Sequence, residues 1–152
     1  MINTTNLNDL RKQIEKNKKE GKEVIVKAQD EDFNRKVLEN KDVNVLFSPE
    51  FHDRKDGFKQ RDSGLNEYLC KLAKKNNIEI VIDIDNLKTL QKKEKAKILA
   101  RIMQNIELCK KSKAVIKAYS KDKNSSKEIS ALFITLKSST EQSKNSTFDK
   151  NF

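Results

Sequence analysis

The heptapeptide IEIVIDI, residues 78–84, is the most strongly strand-like stretch of the chain. Its β-branched residues favour an extended backbone, and its nearly continuous apolar character is typical of a strand inside a parallel sheet. Apolar residues at helical spacing precede it at 64–76 and follow it at 88–112. A buried strand between two amphipathic helices indicates an α/β protein.

The same alternation extends along the whole chain. Helices are predicted at 6–20, 30–40, 64–76, 88–112 and 126–137. Strands are predicted at 23–28, 43–47, 78–84 and 114–119. This order favours right-handed crossovers between parallel strands. We therefore expect an α/β fold with a parallel sheet of about four strands and flanking helices. Four strands cannot close a (β/α)₈ barrel, which typically takes about 250 residues.

Two helix starts are predicted from capping residues. Ser63 is a good N-cap for the helix at 64–76. Ser125 and Glu128 have the spacing of a capping box and predict the start of the last helix.

The chain is expected to form one domain and a tail. Residues 1–138 are predicted to make a single α/β domain that begins with the helix at 6–20. Residues 139–152, STEQSKNSTFDKNF, are polar and are expected to be a disordered tail.

The sequence favours a cytoplasmic protein without a membrane segment. No apolar run reaches 18 residues, and the N-terminus lacks the apolar core of a secretory signal. Cys70 and Cys109 are isolated and are predicted to be reduced, buried thiols.

The formal net charge of +10 favours an anionic partner such as RNA, DNA or acidic lipid. The lysines are spread along the chain, however, and could equally coat a solvated surface.

Several classes of catalytic site are excluded by composition. Three scattered glycines rule out a P-loop and a dinucleotide-binding fingerprint, which need glycines at fixed offsets. His52 is the single histidine, so a zinc site built on several histidines is excluded.

Asp83 and Asp85 are the strongest candidates for metal ligands. Strand alternation would place both carboxylates on one face at the carboxyl end of a central strand, where parallel α/β sheets form their sites. They could hold Mg²⁺ as in metal-dependent nucleases. The alternative is that Asp85 and Asn86 cap the next helix and that Asp83 faces solvent or a lysine. Without a clear third acid, we predict no metal site.

A basic loop around residues 48–62 is the candidate for phosphate contacts. It contains Arg54, Lys55, Lys59 and Arg61. Arginine guanidinium groups can form paired hydrogen bonds with phosphate oxygens. The loop therefore predicts an RNA-binding site, and the alternative is an ordinary solvated loop.

The middle of the chain resembles the archaeal ribonuclease P protein component 3 family. The segments that carry the resemblance are Asn34-Arg35, VNVLFSP (43–49), RDSGLNEYLCKLAKKNNIEIVIDIDNL (61–87) and KILARIMQNIELCKKSKAVIKAYS (97–120). The most specific motif is Asp62, Ser63, Gly64, Leu65 and Asn66. The position of Glu67 is often histidine in the family.

The resemblance implies a TIM-barrel-like protein without catalytic power of its own. Such a subunit pairs with ribonuclease P protein component 2 and helps to fold the catalytic RNA that removes tRNA 5′ leaders. Asn34, Arg35 and the residues of the 62–66 motif are then expected to be structural. Members usually have further β-α units at the N-terminus, so this chain is expected to be a partial or reduced barrel.

The leading hypothesis is therefore an RNA-binding, non-catalytic subunit of ribonuclease P. Its expected partners are ribonuclease P RNA, component 2 and further proteins of the complex. The protein itself is expected to bind no cofactor, because the RNA would hold the required Mg²⁺. Two alternatives stay open: a stand-alone Mg²⁺-dependent nuclease that uses Asp83 and Asp85, and a protein-only assembly module.

Overall fold

Five parallel strands form one sheet in a computed structural model that describes residues 1–57 and 61–149. The strands are β1 (Ile25–Lys27), β2 (Val45–Phe47), β3 (Glu79–Asp83), β4 (Ile116–Tyr119) and β5 (Thr147–Phe148). The helices are α1 (Leu7–Lys19), α2 (Glu31–Glu39), α3 (Glu67–Asn76), α4 (Ile84–Thr89), α5 (Lys92–Ser112), α6 (Ser126–Thr135) and α7 (Thr140–Lys144), with a 3₁₀ turn at Lys123–Ser125. The predicted α/β class with a parallel sheet and flanking helices is confirmed.

The strands lie in the sheet in the order in which they follow one another in the chain, β1-β2-β3-β4-β5. Each neighbouring pair is parallel, with Ile25 opposite Val45 and Ile80 opposite Ile116. Sequential parallel strands joined through helices are the repeating pattern of a TIM barrel. The sheet thus has the strand order that a segment of such a barrel would have.

The two faces of the sheet form two separate hydrophobic clusters. One face, which includes Leu46 and Ile80, packs with the helices in the main core. The opposite face forms a smaller cluster of buried residues: Ile25, Val45, Phe47, Val81 and Phe148. This cluster draws residues from β1, β2, β3 and β5, and no residue of a described helix belongs to it. Its burial without a covering helix indicates that the sheet curves toward its own inner face.

Residue Ile2 pairs with the outer edge of β1. Its N–H donates to the carbonyl of Ile25 at 2.7 Å, and its carbonyl accepts from the N–H of Lys27 at 2.9 Å. This single parallel bridge covers part of an edge that would otherwise present unpaired backbone groups.

The structure differs from the expectation of a disordered tail after residue 138. Residues 140–144 form α7, which has a capping box between Ser139 and Gln142. Residues 147–148 form β5, and Phe148 is buried. The sheet therefore has a fifth strand. A polar composition hid it, because two ladder residues and one buried aromatic side chain leave little periodic signal.

The helix boundaries also differ from the expectations. The predicted helix at 88–112 divides, since α4 ends at Thr89 and α5 begins at Lys92. Ser125 stands at the N-cap of α6, but its hydroxyl donates to the carbonyl of Asp122 and makes no capping hydrogen bond. The expected capping box at Ser125 is therefore wrong.

Helices α3 and α5 pack against each other through the two cysteines. Cys70 and Cys109 are free and buried, with their Sγ atoms 3.9 Å apart. The prediction of buried thiols is confirmed. No helix in the described part of the chain is long and apolar enough to cross a membrane.

Candidate nucleic-acid interface

The segment between β2 and α3 crosses the carboxyl end of the sheet. We call it the β2–α3 loop, residues 48–66, of which 58–60 lie outside the described residues. The loop begins at Ser48, which has a positive φ of 59° and donates its N–H to the carbonyl of Val81 in β3. Two residues later, Glu50 Oε1 accepts the N–H of Asp83 at 2.9 Å. The start of the loop is thus fastened to the neighbouring strand.

Arg101 of α5 holds the next part of the loop. Its side chain is fully buried, with 0% exposed. The guanidinium group donates to the carbonyls of Glu50, His52 and Arg54 at 2.9–3.1 Å. It also forms an ion pair with Asp56 at 3.1 Å. One buried cation therefore fixes the backbone path of residues 50–56.

Two further residues of α5 hold the far end of the loop. Gln104 donates its side-chain amide to the carbonyl of Arg61 at 3.1 Å, and Asn105 donates to the carbonyl of Ser63 at 3.0 Å. The sequence analysis missed these contacts. The signal was present, because Arg101 and Asn105 are polar residues in the apolar stripe of a helix.

Arg54 is committed to contacts within the protein. Its Nε lies 2.7 Å from Asp62 Oδ2, and its Nη2 lies 3.2 Å from Asp62 Oδ1. Its Nη1 donates to the carbonyl of Gln29 at 3.1 Å. The hydrogen bonds from Arg54 lower the pKa of Asp62 to about 2. The guanidinium group of Arg54 is therefore directed at Asp62 and Gln29.

Arg61 and Lys55 present their charges closer to solvent. The Arg61 side chain is 42% exposed, and its Nε lies 3.9 Å from Asp56 Oδ2. Lys55 is exposed. Lys59 falls outside the described residues. The structure thus brings Arg54 and Arg61 to the same loop but gives them different surroundings.

His52 also belongs to the loop network, and its side chain is only 8% exposed. Its Nε2 lies 3.3 Å from Asp62 Oδ1. Burial lowers the pKa of His52, and the nearby charges of Arg101 and Arg54 lower it further. The imidazole is therefore neutral near pH 7 and adds no positive charge to the surface.

The 62–66 motif forms the tight turn that leads into α3. Asp62 Oδ1 accepts the N–H of Gly64 at 3.0 Å, and the Ser63 hydroxyl donates to the carbonyl of Leu65. Gly64 has a φ of 80°, and a Cβ atom at this position would lie 1.9 Å from the carbonyl oxygen of Pro49. Gly64 is thus required both by its backbone conformation and by a close approach.

Asn66, and not Ser63, is the N-cap of α3. Its side-chain oxygen accepts the N–H of Leu69 at 2.9 Å, and its amide donates to Glu31 at 2.6 Å. The expectation that Ser63 caps a helix beginning at 64 is therefore wrong. Gly64 takes a positive φ that a right-handed helix cannot contain, so the helix starts only at Glu67.

Asn34 and Arg35 occupy different environments on α2. Asn34 is fully buried and exchanges two hydrogen bonds with the backbone of Gln29. Arg35 is exposed and forms long ion pairs with Asp32 and Glu39 at 3.8–3.9 Å. Because Gln29 also accepts from Arg54, Asn34 supports the same network as the β2–α3 loop.

A cavity of about 390 Å³ opens beside the loop. Its lining includes Glu31, Arg54, Arg61, Asp62 and Asn66. The cavity therefore combines guanidinium donors with carboxylate acceptors.

Asp83 and Asp85 do not form the predicted pair on one strand. β3 ends at Asp83, whose side chain accepts the N–H of Asn86 and so caps α4. Asp85 lies within α4, and its two oxygens accept from the Ser120 hydroxyl and the Lys121 N–H. Within residues 1–57 and 61–149, no three histidine, cysteine or acidic side chains lie together as metal ligands would. The next helix is therefore capped as the alternative expected, but by Asp83 and not by Asp85 and Asn86.

Glu50 is the most strongly buried acid near this edge. Its side chain is inaccessible to solvent, and Oε2 has no hydrogen-bond partner among the described residues. Burial raises the pKa of Glu50 to about 7. Burial also raises the pKa of Asp83. Both shifts follow from desolvation at the carboxyl ends of the strands.

Comparison with known proteins gives one consistent result. The chain is 31% identical over 110 residues to ribonuclease P protein component 3 of Methanococcus maripaludis strain C7. This match covers 72% of this chain and 44% of the relative. It is 39% identical over 64 residues to the protein of the same name from Methanococcoides burtonii, covering 42% of this chain and 23% of that protein. No model of a protein family matches the chain.

A chain of a solved structure has a similar fold. It is a chain of the cryo-EM structure of archaeal ribonuclease P with mature tRNA, with a TM-score of 0.76 and 22% sequence identity. The match covers 94% of this chain and 61% of that chain. The chain spans less than half the length of the Methanococcus relatives that it matches.

Proposed function

Since the chain is a relative of ribonuclease P protein component 3 over 72% of its length, we propose that it is a protein subunit of ribonuclease P. In this role it binds and supports the catalytic RNA during removal of tRNA 5′ leaders. The protein contributes no catalytic group, and the Mg²⁺ needed for cleavage is held by the RNA. The observation that carries the proposal is the homologous segment itself, which includes the β2–α3 loop and the helix that holds it.

The geometry of the loop supports an architectural role. Arg101, Gln104 and Asn105 hold the backbone of the loop from α5. A rigid loop loses little conformational entropy when it binds, which favours a surface that presents charges to a structured partner. Among the described basic side chains of the loop, Lys55 and Arg61 are the most accessible to phosphates.

The acids at the sheet edge offer less support for a protein nuclease. Asp83 caps α4 and Asp85 binds the Ser120–Lys121 segment.

The proposed partners of the chain in the cytoplasm are ribonuclease P RNA, component 2 and further proteins of the complex.

Purification of the tagged chain from its own cells tests this function. The RNA that co-purifies is sequenced, and the eluate is assayed for cleavage of precursor tRNA before and after digestion of its RNA. We expect an enriched ribonuclease P RNA, co-purified component 2, and cleavage that is lost when the RNA is digested.

Two results would count against the proposal. Absence of both ribonuclease P RNA and cleavage activity from the eluate would remove its support. Cleavage that survives RNA digestion, but is lost in an Asp83→Asn variant, would favour the stand-alone nuclease.

A further inference from the structure

The N-terminal half of α5 carries a dense group of lysines beside the β2–α3 loop. The sequence KTLQKKEKAK, residues 88–97, contains five lysines and one acidic residue, Glu94. Lys92 and Lys93 are exposed, and Lys97 is half-buried. We refer to Lys93 and Lys97 as the α5 lysines.

The helix geometry places these lysines next to the loop. Lys93, Lys97 and Arg101 are spaced by four residues and so lie along one face of α5. Arg101 is the residue that binds the loop. At 1.5 Å per residue, Lys93 lies about 12 Å from Arg101 along the helix axis, toward the helix N-terminus. The two lysines therefore extend the surface that begins at the loop.

The charge of Lys97 also acts on a carboxylate of the loop. Partial burial raises the pKa of Asp56, but the hydrogen bond from Arg101 and the charges of Arg101 and Lys97 outweigh it and leave that pKa lowered. Asp56 is the loop residue that also approaches Arg61. Lys97 and Arg61 thus flank the same carboxylate.

The position of Lys93 in the first turn of α5 is unfavourable for the helix itself. The N-terminal end of a helix carries partial positive charge, so cations there reduce helix stability. Gln91 at the N-cap makes no side-chain capping hydrogen bond that would compensate. A local arrangement that costs stability is expected where the residues serve a function.

We propose that the α5 lysines contact backbone phosphates of a structured RNA, together with Lys55 and Arg61 of the β2–α3 loop. Helix α5 and the β2–α3 loop then both contribute to one basic surface. Arg54 is not part of it, because its guanidinium group binds Asp62 and Gln29. This inference rests on the proposed function and specifies which surface meets the RNA.

A matched pair of double variants tests the surface. In Lys93→Gln/Lys97→Gln, two positive charges are removed from α5. In Lys12→Gln/Lys16→Gln, the same number is removed from exposed positions of α1. Thermal melting of both variants establishes that they fold.

Binding of the chain to the ribonuclease P RNA of its own cells is then measured over a series of KCl concentrations. Each phosphate contact contributes about 0.7–0.9 to the slope of log K against log[salt]. We therefore expect the α5 variant to lower the magnitude of the slope by about one to two and the affinity on the order of tenfold at physiological salt. The α1 variant should keep the wild-type slope.

Four outcomes would overturn the inference. If wild type binds with a steep salt dependence and the α5 variant keeps that slope, the surface is elsewhere and the proposed function stands. Equal losses in the two double variants would mean that overall charge, and not this surface, governs binding. Unchanged RNA binding with lost retention on phosphatidylserine vesicles would assign the lysines to a lipid surface. If wild type itself shows no salt-dependent binding, the proposed function fails together with the inference.

Discussion

Arg101 and Asp56 are 45 residues apart in the chain, yet Arg101 Nη2 lies 3.1 Å from Asp56 Oδ1. The arginine is fully buried, whereas the Asp56 side chain is 29% exposed. This pair and the three carbonyls that Arg101 also binds connect helix α5 to the β2–α3 loop.

Replacement of Arg101 by methionine should destabilise the protein strongly. The substitution leaves three loop carbonyls and Asp56 without their donor, and loss of one partner of a buried ion pair costs about 3–5 kcal/mol. Arg35→Met is the matched control, because Arg35 is exposed and its ion pairs are long. We expect its cost to be below about 1 kcal/mol. Urea unfolding measures both, and equal small losses would show that Arg101 does not hold the loop.

Two glycine substitutions separate backbone strain from steric contact. Gly21 and Gly64 both have positive φ, so alanine at either position should cost about 1–2 kcal/mol. A Cβ at Gly21 meets nothing within 4 Å, whereas at Gly64 it would lie 1.9 Å from the Pro49 carbonyl oxygen. Gly64→Ala should therefore lose clearly more stability than Gly21→Ala in chemical unfolding. Similar losses would contradict the close approach.

Glu50 should make the protein less stable as the pH rises. Its pKa is raised from 4.5 to about 7 in the folded state, so folding favours its neutral form. The stabilising contribution is complete below about pH 4.5 and is lost as the pH rises through about 7. This difference between the folded and the ordinary pKa of Glu50 corresponds to about 3 kcal/mol of unfolding free energy.

A Glu50→Gln variant isolates this effect. Glutamine keeps an acceptor for the Asp83 N–H but cannot ionise. The difference in unfolding free energy between the variant and wild type, measured by urea at pH 5 and pH 8, should shift in favour of the variant at pH 8. Both proteins retain His52, so its titration cancels. A difference that does not change with pH would exclude a buried, titrating Glu50.

Phe148 should contribute to stability as a core residue. Its side chain is 2% exposed and packs with the inner-face cluster of the sheet. Truncation of a buried phenylalanine to alanine costs about 3–5 kcal/mol. Ile134→Ala is the control, since Ile134 is 62% exposed and should cost less than about 0.5 kcal/mol. A Phe148→Ala variant as stable as this control would support the disordered tail that the sequence suggested.

The predicted architecture rested on local patterns, and these were sufficient for the sheet. The apolar run at 78–84 and the spacing of apolar residues in the flanking helices each depend on a few neighbouring residues. The conserved geometry of crossovers then limits how such units assemble. Four of the five strands were accordingly predicted close to their positions.

The remaining features depend on contacts between distant residues. Arg101 could be recognised as a polar residue in an apolar stripe, but its partners lie 45–51 residues away and no local pattern identifies them. Asp85 was assigned to a strand because apolar alternation continues to Ile84, whereas β3 ends where Asp83 caps α4. Ser63 and Asn66 both have cap-forming side chains, and the backbone of Gly64 decides between them.

The order of the strands has a consequence for folding during synthesis. Because each strand pairs with the one before it, the sheet can grow from β1 to β5 as the chain leaves the ribosome. The β2–α3 loop cannot be held in place at the same stage, because Arg101, which binds it, is translated 45 residues after Asp56. At about 5–20 residues per second this interval lasts on the order of 2–9 s. The carboxyl edge of the partly formed sheet is therefore exposed to chaperones and to premature contacts with RNA until α5 has left the ribosome.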